Sequence, residues 1–233
     1  MNLWKGIFMG KLLRISLFCC FVSLLIIATG CQDSGRFAVA AKGSTLGVGG
    51  EFTAGLATDI NARVGLNTFD IDFDDTEIDD IEYDLGVELN SISALLDWHV
   101  FDDNFHVTGG FISMNNEFNL DARPANSVEI GDITYSPTDI GYLTGQAEID
   151  GMAPYLGVGW GNPIQSNRRW GFTLDLGVAF TDSPDVTIRS VGGLLSSDAG
   201  FLAELEKERK ELEDDLDGLQ IYPVISLGLF FRF

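Results

Sequence analysis

Apolar side chains recur at every second position in this chain, over segments of about ten residues that end in turn signals. Period two places successive side chains on opposite faces of a strand, whereas an amphipathic helix needs a period of about 3.6. Val48, Phe52 and Leu56 share one face, with Gly47, Gly49, Glu51 and Thr53 on the other. After the tight turn Ala57-Thr58-Asp59, Ala62, Val64 and Leu66 alternate with Arg63, Gly65 and Asn67. The pattern returns in Leu156, Val158 and Trp160, and in Trp170, Phe172, Leu174, Leu176, Val178 and Phe180. It closes the chain in Ile221, Pro223, Ile225, Leu227, Leu229, Phe231 and Phe233. Strands of about 9 to 11 residues that show one apolar face to lipid and a polar one to a lumen are what a membrane-spanning barrel requires.

The connections alternate in length, short at 57–59, 101–104 and 162–169, long at about 70–82, 116–143 and 181–220. Outer-membrane barrels have short periplasmic turns and long external loops, and Trp98, Trp160 and Trp170 flank the short turns as an interfacial girdle would. Within Tyr83–Val100 the apolar residues change from odd to even positions, which predicts a β-bulge near Asn90. Seven strands are clear, and bacterial barrels normally have an even number. The balance predicts a weaker first strand at about Arg36–Ala41, turning at Lys42-Gly43-Ser44. The fold expected is therefore all-β, an eight-stranded antiparallel up-and-down transmembrane β-barrel. Leu202, Leu205, Leu212 and Leu216 instead repeat at helical spacing, with Glu206–Lys210 and Arg209–Glu213 paired at i,i+4 and Gly218 as a stop. A short charged helix is expected in the last external loop.

Behind Lys5, Lys11 and Arg14 lies an apolar run from about Ile15 to Gly30, the pattern of a secretory signal peptide. Small residues at Ala28-Thr29-Gly30 place the cut after Gly30, dividing the chain into a signal peptide, 1–30, and a barrel, 31–233. The same residues with Cys31 resemble a lipobox, which would acylate that cysteine. Cys19 and Cys20 leave with the peptide, so no disulfide framework is possible and the backbone ladder must hold the fold. A net charge of −21 excludes nucleic acid as a partner, because binding phosphate needs the opposite sign.

The last residues, SLGLFFRF, set Ser226, Gly228, Phe231 and Phe233 at polar-x-Gly-x-x-aromatic-x-aromatic spacing. This resembles the C-terminal strand that the outer-membrane barrel assembly machinery recognises. With the hairpin TLGVGGEFTAGLATDINARVGLNTF and the strand APYLGVGWG, it makes most of residues 45–233 similar to the small outer-membrane barrel superfamily that includes OmpW-like proteins and the OmpA membrane domain. The resemblance implies residence in the cell outer membrane, among lipids and lipopolysaccharide. The chain departs from the OmpW-like pattern in lacking a clear first strand and in its helical last loop, so a hydrophobic-solute channel does not carry over.

Register arithmetic gathers the polar lumen residues. If Leu56 opposes Ile60, Thr53 opposes Arg63 with Glu51 diagonal to it; Asp97 and Asp175 join them on the inner face. If Val100 opposes Phe105, the two histidines, His99 and His106, face one another beside Asp97. A metal site or a proton-linked gate is the sharper reading of that pair and a structural polar plug the plainer and preferred one, since two histidines lack ligands enough for zinc. Residues Asp70–Asp84 hold nine acidic side chains and no basic one, a candidate for divalent cations but more simply a solvated loop. No Ser or Cys stands in a nucleophile elbow or beside a His, so no catalytic set and no cofactor are expected. The reading is a monomeric barrel of structural or surface-interaction role that displays long acidic loops; the alternative is a narrow channel for small or hydrophobic solutes.

Overall fold

The computed structural model describes residues 36–78, 81–100, 104–165, 168–216 and 220–233. The proposed signal peptide with its cleavage site and Cys31, the turn residues 101–103, and Gly218 lie outside the described residues. Eleven strands are described: β1 (Phe37–Ser44), β2 (Gly47–Ala57), β3 (Ile60–Ile78), β4 (Ile81–His99), β5 (Phe105–Pro124), β6 (Val128–Ile130), β7 (Ile133–Tyr135), β8 (Gly141–Trp160), β9 (Trp170–Phe180), β10 (Asp185–Gly192) and β11 (Ile221–Arg232). The large sheet runs β10-β8-β5-β4-β3-β2-β1-β11-β9, and β8 also pairs with β9. That second pairing closes eight of the strands into a ring of antiparallel neighbours, with β10 alone added to the upper half of β8. Closure removes every edge from the part of the sheet that faces lipid, where an unpaired backbone group could find no water.

The alternation sorts side chains as the sequence predicts. Phe172, Leu174 and Leu176 of β9 and Ile225, Leu227 and Leu229 of β11 point outward and are exposed, while Thr173, Asp175, Val224, Ser226 and Phe230 are buried inside. β9 has 11 residues. At about 3.3 Å per residue and a tilt of about 40°, its outer face is about 25 Å tall, the height of the apolar band of outer-membrane barrels. Trp98, Trp160 and Trp170 all stand exposed at the short-turn end, and no helix among the described residues is long and apolar enough to cross a membrane. The interior tapers around Tyr155, which is 2% exposed; a Cβ on Gly157 or on Gly177 would lie 2.4 Å from its hydroxyl, so the ring occupies the space those glycines leave.

The structure corrects several expectations. The first strand exists, but it continues through Lys42, Gly43 and Ser44, which pair with Gly49, Val48 and Gly47. The turn is Thr45-Leu46: the Ser44 hydroxyl accepts from the Leu46 amide and donates to the Gly47 carbonyl, both at 3.1 Å, and Gly47 takes a φ of 108°. Ile60 faces Ala57, not Leu56, because a register shift falls between Gly55 and Ala57; Thr53 nonetheless opposes Arg63. No bulge occurs at Asn90, where β4 pairs without interruption from Leu85 to Trp98. Even positions such as Ile92 and Leu96 meet lipid, whereas Leu89 turns inward and is buried, so the apolar residues change parity without the strand changing face.

The three stretches expected as loops are mostly ordered. β3 and β4 run on as a protruding hairpin, β5 and β8 extend to Pro124 and Gly141, and β10 pairs with residues 141–148 of β8. The helix expected in the last external loop spans Ala199–Leu216, and both predicted ion pairs form, Arg209–Glu213 at 3.0 Å and Lys210–Glu206 at 3.6 Å. Its buried residues are Phe201 and Leu205, whereas Leu202 and Leu212 are exposed. Phe201 and Leu205 pack with Ile130, Tyr135 and Ile140 into a second small core outside the barrel.

Candidate functional site

The strands carry an inward polar residue at matching heights, and these side chains meet in one buried network. Arg63 is 3% exposed; its Nε lies 2.8 Å from Asp97, and its Nη1 lies 3.3 Å from Glu51 and 3.1 Å from Asp175. Lys42 pairs with Glu51 and with Asp175, each at 3.0 Å. Thr108 donates to Asp97 at 2.8 Å and accepts from Arg63 Nη2 at 3.3 Å. His106 Nε2 lies 3.1 Å from the other oxygen of Asp175. Five strands of the ring, β1, β2, β3, β4 and β9, thus supply the five charged groups, which tie opposite walls of the barrel together. Buried charges persist only when paired and hydrogen-bonded, and each of these has at least one partner of opposite sign.

The four lumen residues read from the sequence, Glu51, Arg63, Asp97 and Asp175, all belong to this network. Lys42 is the member that sequence reasoning missed, because the pattern of residues 36–44 places it in a turn. Its signal is parity: Ala38, Ala40 and Lys42 share one face, and the first two are buried. His99 and His106 are cross-strand partners with ring centroids 5.2 Å apart. Their nitrogens do not converge. His99 Nε2 lies 3.0 Å from the Asn61 amide nitrogen and its Nδ1 lies 3.4 Å from that of Asn162, whereas His106 is turned to Asp175. No group of three or more metal-capable side chains occurs among the described residues. The assembly-signal positions divide by face, with Ser226 buried in the lumen and Phe231 against Phe233 on the outer surface at a centroid distance of 5.6 Å.

The network leaves little space. A cavity of about 30 Å³ lies against Lys42, Glu51, Arg63, Asp175 and Ser226, room for one or two water molecules. Toward the short turns the hydrogen-bonded set Asn61, His99 and Asn162 is buried in the lumen, and Leu95, Ile112, Tyr155 and Val224, which pack with Met114, line the same cavity. An eight-stranded interior is just wide enough for side chains to fill, and at the height of Arg63 buried charged and polar side chains occupy it.

A closed ring of eight antiparallel strands, with a lipid-facing apolar belt, interfacial tryptophans and a packed polar interior, is the fold of a small outer-membrane β-barrel, and the outer membrane is where this surface belongs. Among solved structures the chain is similar to CarO from Acinetobacter baumannii, with a TM-score of 0.61 and 21% identity over 87% of this chain and 100% of that one. CarO2 from the same organism gives 0.61 and 20% over the same shares. A major outer membrane protein from Thermus thermophilus gives 0.40 and 15%, over 85% of this chain and 99% of that one. No family model and no curated protein matches the sequence.

Proposed function

We propose that this protein is a closed outer-membrane anchor that displays an acidic, folded surface outside the cell. The filled lumen carries this reading. Five paired charges cross the lumen beside a cavity of only about 30 Å³, which supports a barrel without a solute path, whereas the long-loop end carries a protruding sheet, the β6–β7 hairpin and an 18-residue helix. Residues 1–30 act as the signal peptide, and the strand ending in Phe233 engages the barrel assembly machinery. Outer-membrane lipids and lipopolysaccharide surround the apolar belt, the acidic segment 70–84 stands in solvent, and the barrel works as a monomer without catalysis. Planar-bilayer recording on the purified full chain tests the proposal. A silent membrane is expected, and reproducible single-channel steps would establish the narrow channel instead.

A further inference from the structure

Above the lipid the sheet is open, and its two edges are treated differently. β10, at one edge, lies under the loop helix: the Arg209 guanidinium reaches the Val186 carbonyl at 3.4 Å, and Ile188 packs against the core of Phe201 and Leu205. The other edge is β3. Its pairing with β2 ends at Thr68, opposite Val48, while β3 continues to Ile78. From Phe69 onward, only β4 pairs with it among the described residues.

Hydrogen-bond alternation shows which groups that edge presents. The His99 amide donates to the Asp59 carbonyl at 2.9 Å. In an antiparallel ladder, residues bond alternately to one side and the other, so odd residues of β3 bond toward β4 and even ones away from it. The Gly55 amide donates to Arg36 at 2.9 Å, which turns the even residues of β2 toward β3 and matches the same phase. Beyond Thr68, the N–H and C=O groups of Asp70 and Asp72 therefore face outward along the free edge.

The side chains give the edge two chemically distinct faces. Asp70 and Asp72 are exposed on one, and Phe69, Ile71 and Phe73 lie on the other, with Phe69 and Phe73 both exposed. Edge strands are usually protected by charged side chains, a proline, a bulge or a covering element; among the described residues no further strand pairs with Phe69–Phe73, which has no proline and whose only charges are its two aspartates, with a register shift following Phe73. Its aspartates repel a second copy of the same strand, since a self-paired edge would set carboxylate beside carboxylate. They attract the opposite pattern.

We propose that the free edge of β3 at Phe69–Phe73 is a strand-addition site for an extended peptide segment in which basic residues alternate with apolar ones. Main-chain bonds to Asp70 and Asp72 supply the pairing, lysine or arginine lies beside the two carboxylates, and apolar side chains cover Phe69, Ile71 and Phe73. The proposal rests on the surface-display reading for its orientation toward the outside. It fails separately from that reading, because a silent bilayer with no peptide binding would leave the anchor standing and remove only the site.

The test uses the full chain in lipid nanodiscs and a labelled peptide of alternating valine and lysine, read by fluorescence anisotropy. Controls are a peptide of the same composition with its lysines contiguous, and the alternating peptide N-methylated at every second residue in each of the two phases. Saturable binding of the alternating peptide is expected, weakened at least about tenfold by block order and by one phase of N-methylation. Asp72→Pro removes an edge-facing N–H at a position where an edge strand tolerates proline, and the same loss is expected with the barrel intact. Hydrogen exchange should show new protection at Asp70 and Asp72. Equal binding of the block peptide, full binding to D72P, or absence of saturable binding would each overturn the site.

Discussion

Replacing Arg63 with alanine removes the one side chain that contacts all three lumen carboxylates. In the intact barrel the guanidinium lies 2.8 Å from Asp97, 3.1 Å from Asp175 and 3.3 Å from Glu51, at 3% exposure. Lys42 remains for Glu51 and Asp175, but Asp97 keeps only the Thr108 hydroxyl at 2.8 Å. Removing one partner of a buried ion pair typically costs about 3–5 kcal/mol, because the surviving charge stays buried without compensation. We expect a loss in that range for Arg63→Ala. Adding Asp97→Asn should return part of it, with a coupling of about 0.5–3 kcal/mol between the two positions. Reversible urea unfolding in lipid bilayers at neutral pH, followed by the fluorescence of lipid-facing Trp98, Trp160 and Trp170, measures both. A loss under about 1 kcal/mol, the range of a solvent-exposed pair, would refute the network as the structural plug, and so would strict additivity with Asp97→Asn.

Arg123→Ala is the contrasting case, because its 2.8 Å pair with Asp84 is solvent-exposed; a change within about 1 kcal/mol is expected in the same assay. Gly159→Ala would place a Cβ 2.2 Å from His106 Nε2 and 2.7 Å from Asp175 Oδ1, separating that pair and costing about 1–3 kcal/mol of overpacking strain; an unchanged His106 environment by NMR would contradict the close fit. The loop helix should be acid-labile. The Asp132 amide, and then Lys207, hold the Glu204 carboxyl below its usual range. A depressed carboxylate stabilises above its unfolded pKa and ceases to as pH falls through the folded one. Hydrogen exchange of Ala199–Leu216 should therefore accelerate as pH drops through and below the ordinary carboxylate range, after correction for intrinsic rates, while the barrel strands stay protected; uniform protection at both ends of that range would remove the claim.

The lipid-spanning parts of this fold are legible because the bilayer enforces the alternation: each outward position between Trp170 and Phe180 has to be apolar or small. Outside the bilayer that constraint ends. β3 and β4 keep their pairing past Thr68 with acidic residues facing water, so their strand character hides behind a composition that reads as loop. β1 is hard to place because its lumen face is built of Ala38 and Ala40, too small to give a strong pattern, and because the turn at Thr45-Leu46 depends on the Ser44 hydroxyl instead of a glycine pair. That displacement removes Lys42 from the site as read in sequence. The other four charged members are legible, Glu51 and Arg63 from cross-strand register and Asp97 and Asp175 from the alternation of their own strands, even though Leu56 does not oppose Ile60. Asn61, Asn162 and Tyr155, which are buried in the lumen beside them, carry no signal of their own.

The central claim, a barrel plugged by its own charged side chains, is tested most directly by osmotic swelling of liposomes that contain the purified chain, with a small sugar outside. The account predicts swelling no faster than that of protein-free liposomes. Swelling that depends on protein amount and cuts off with solute size would contradict it.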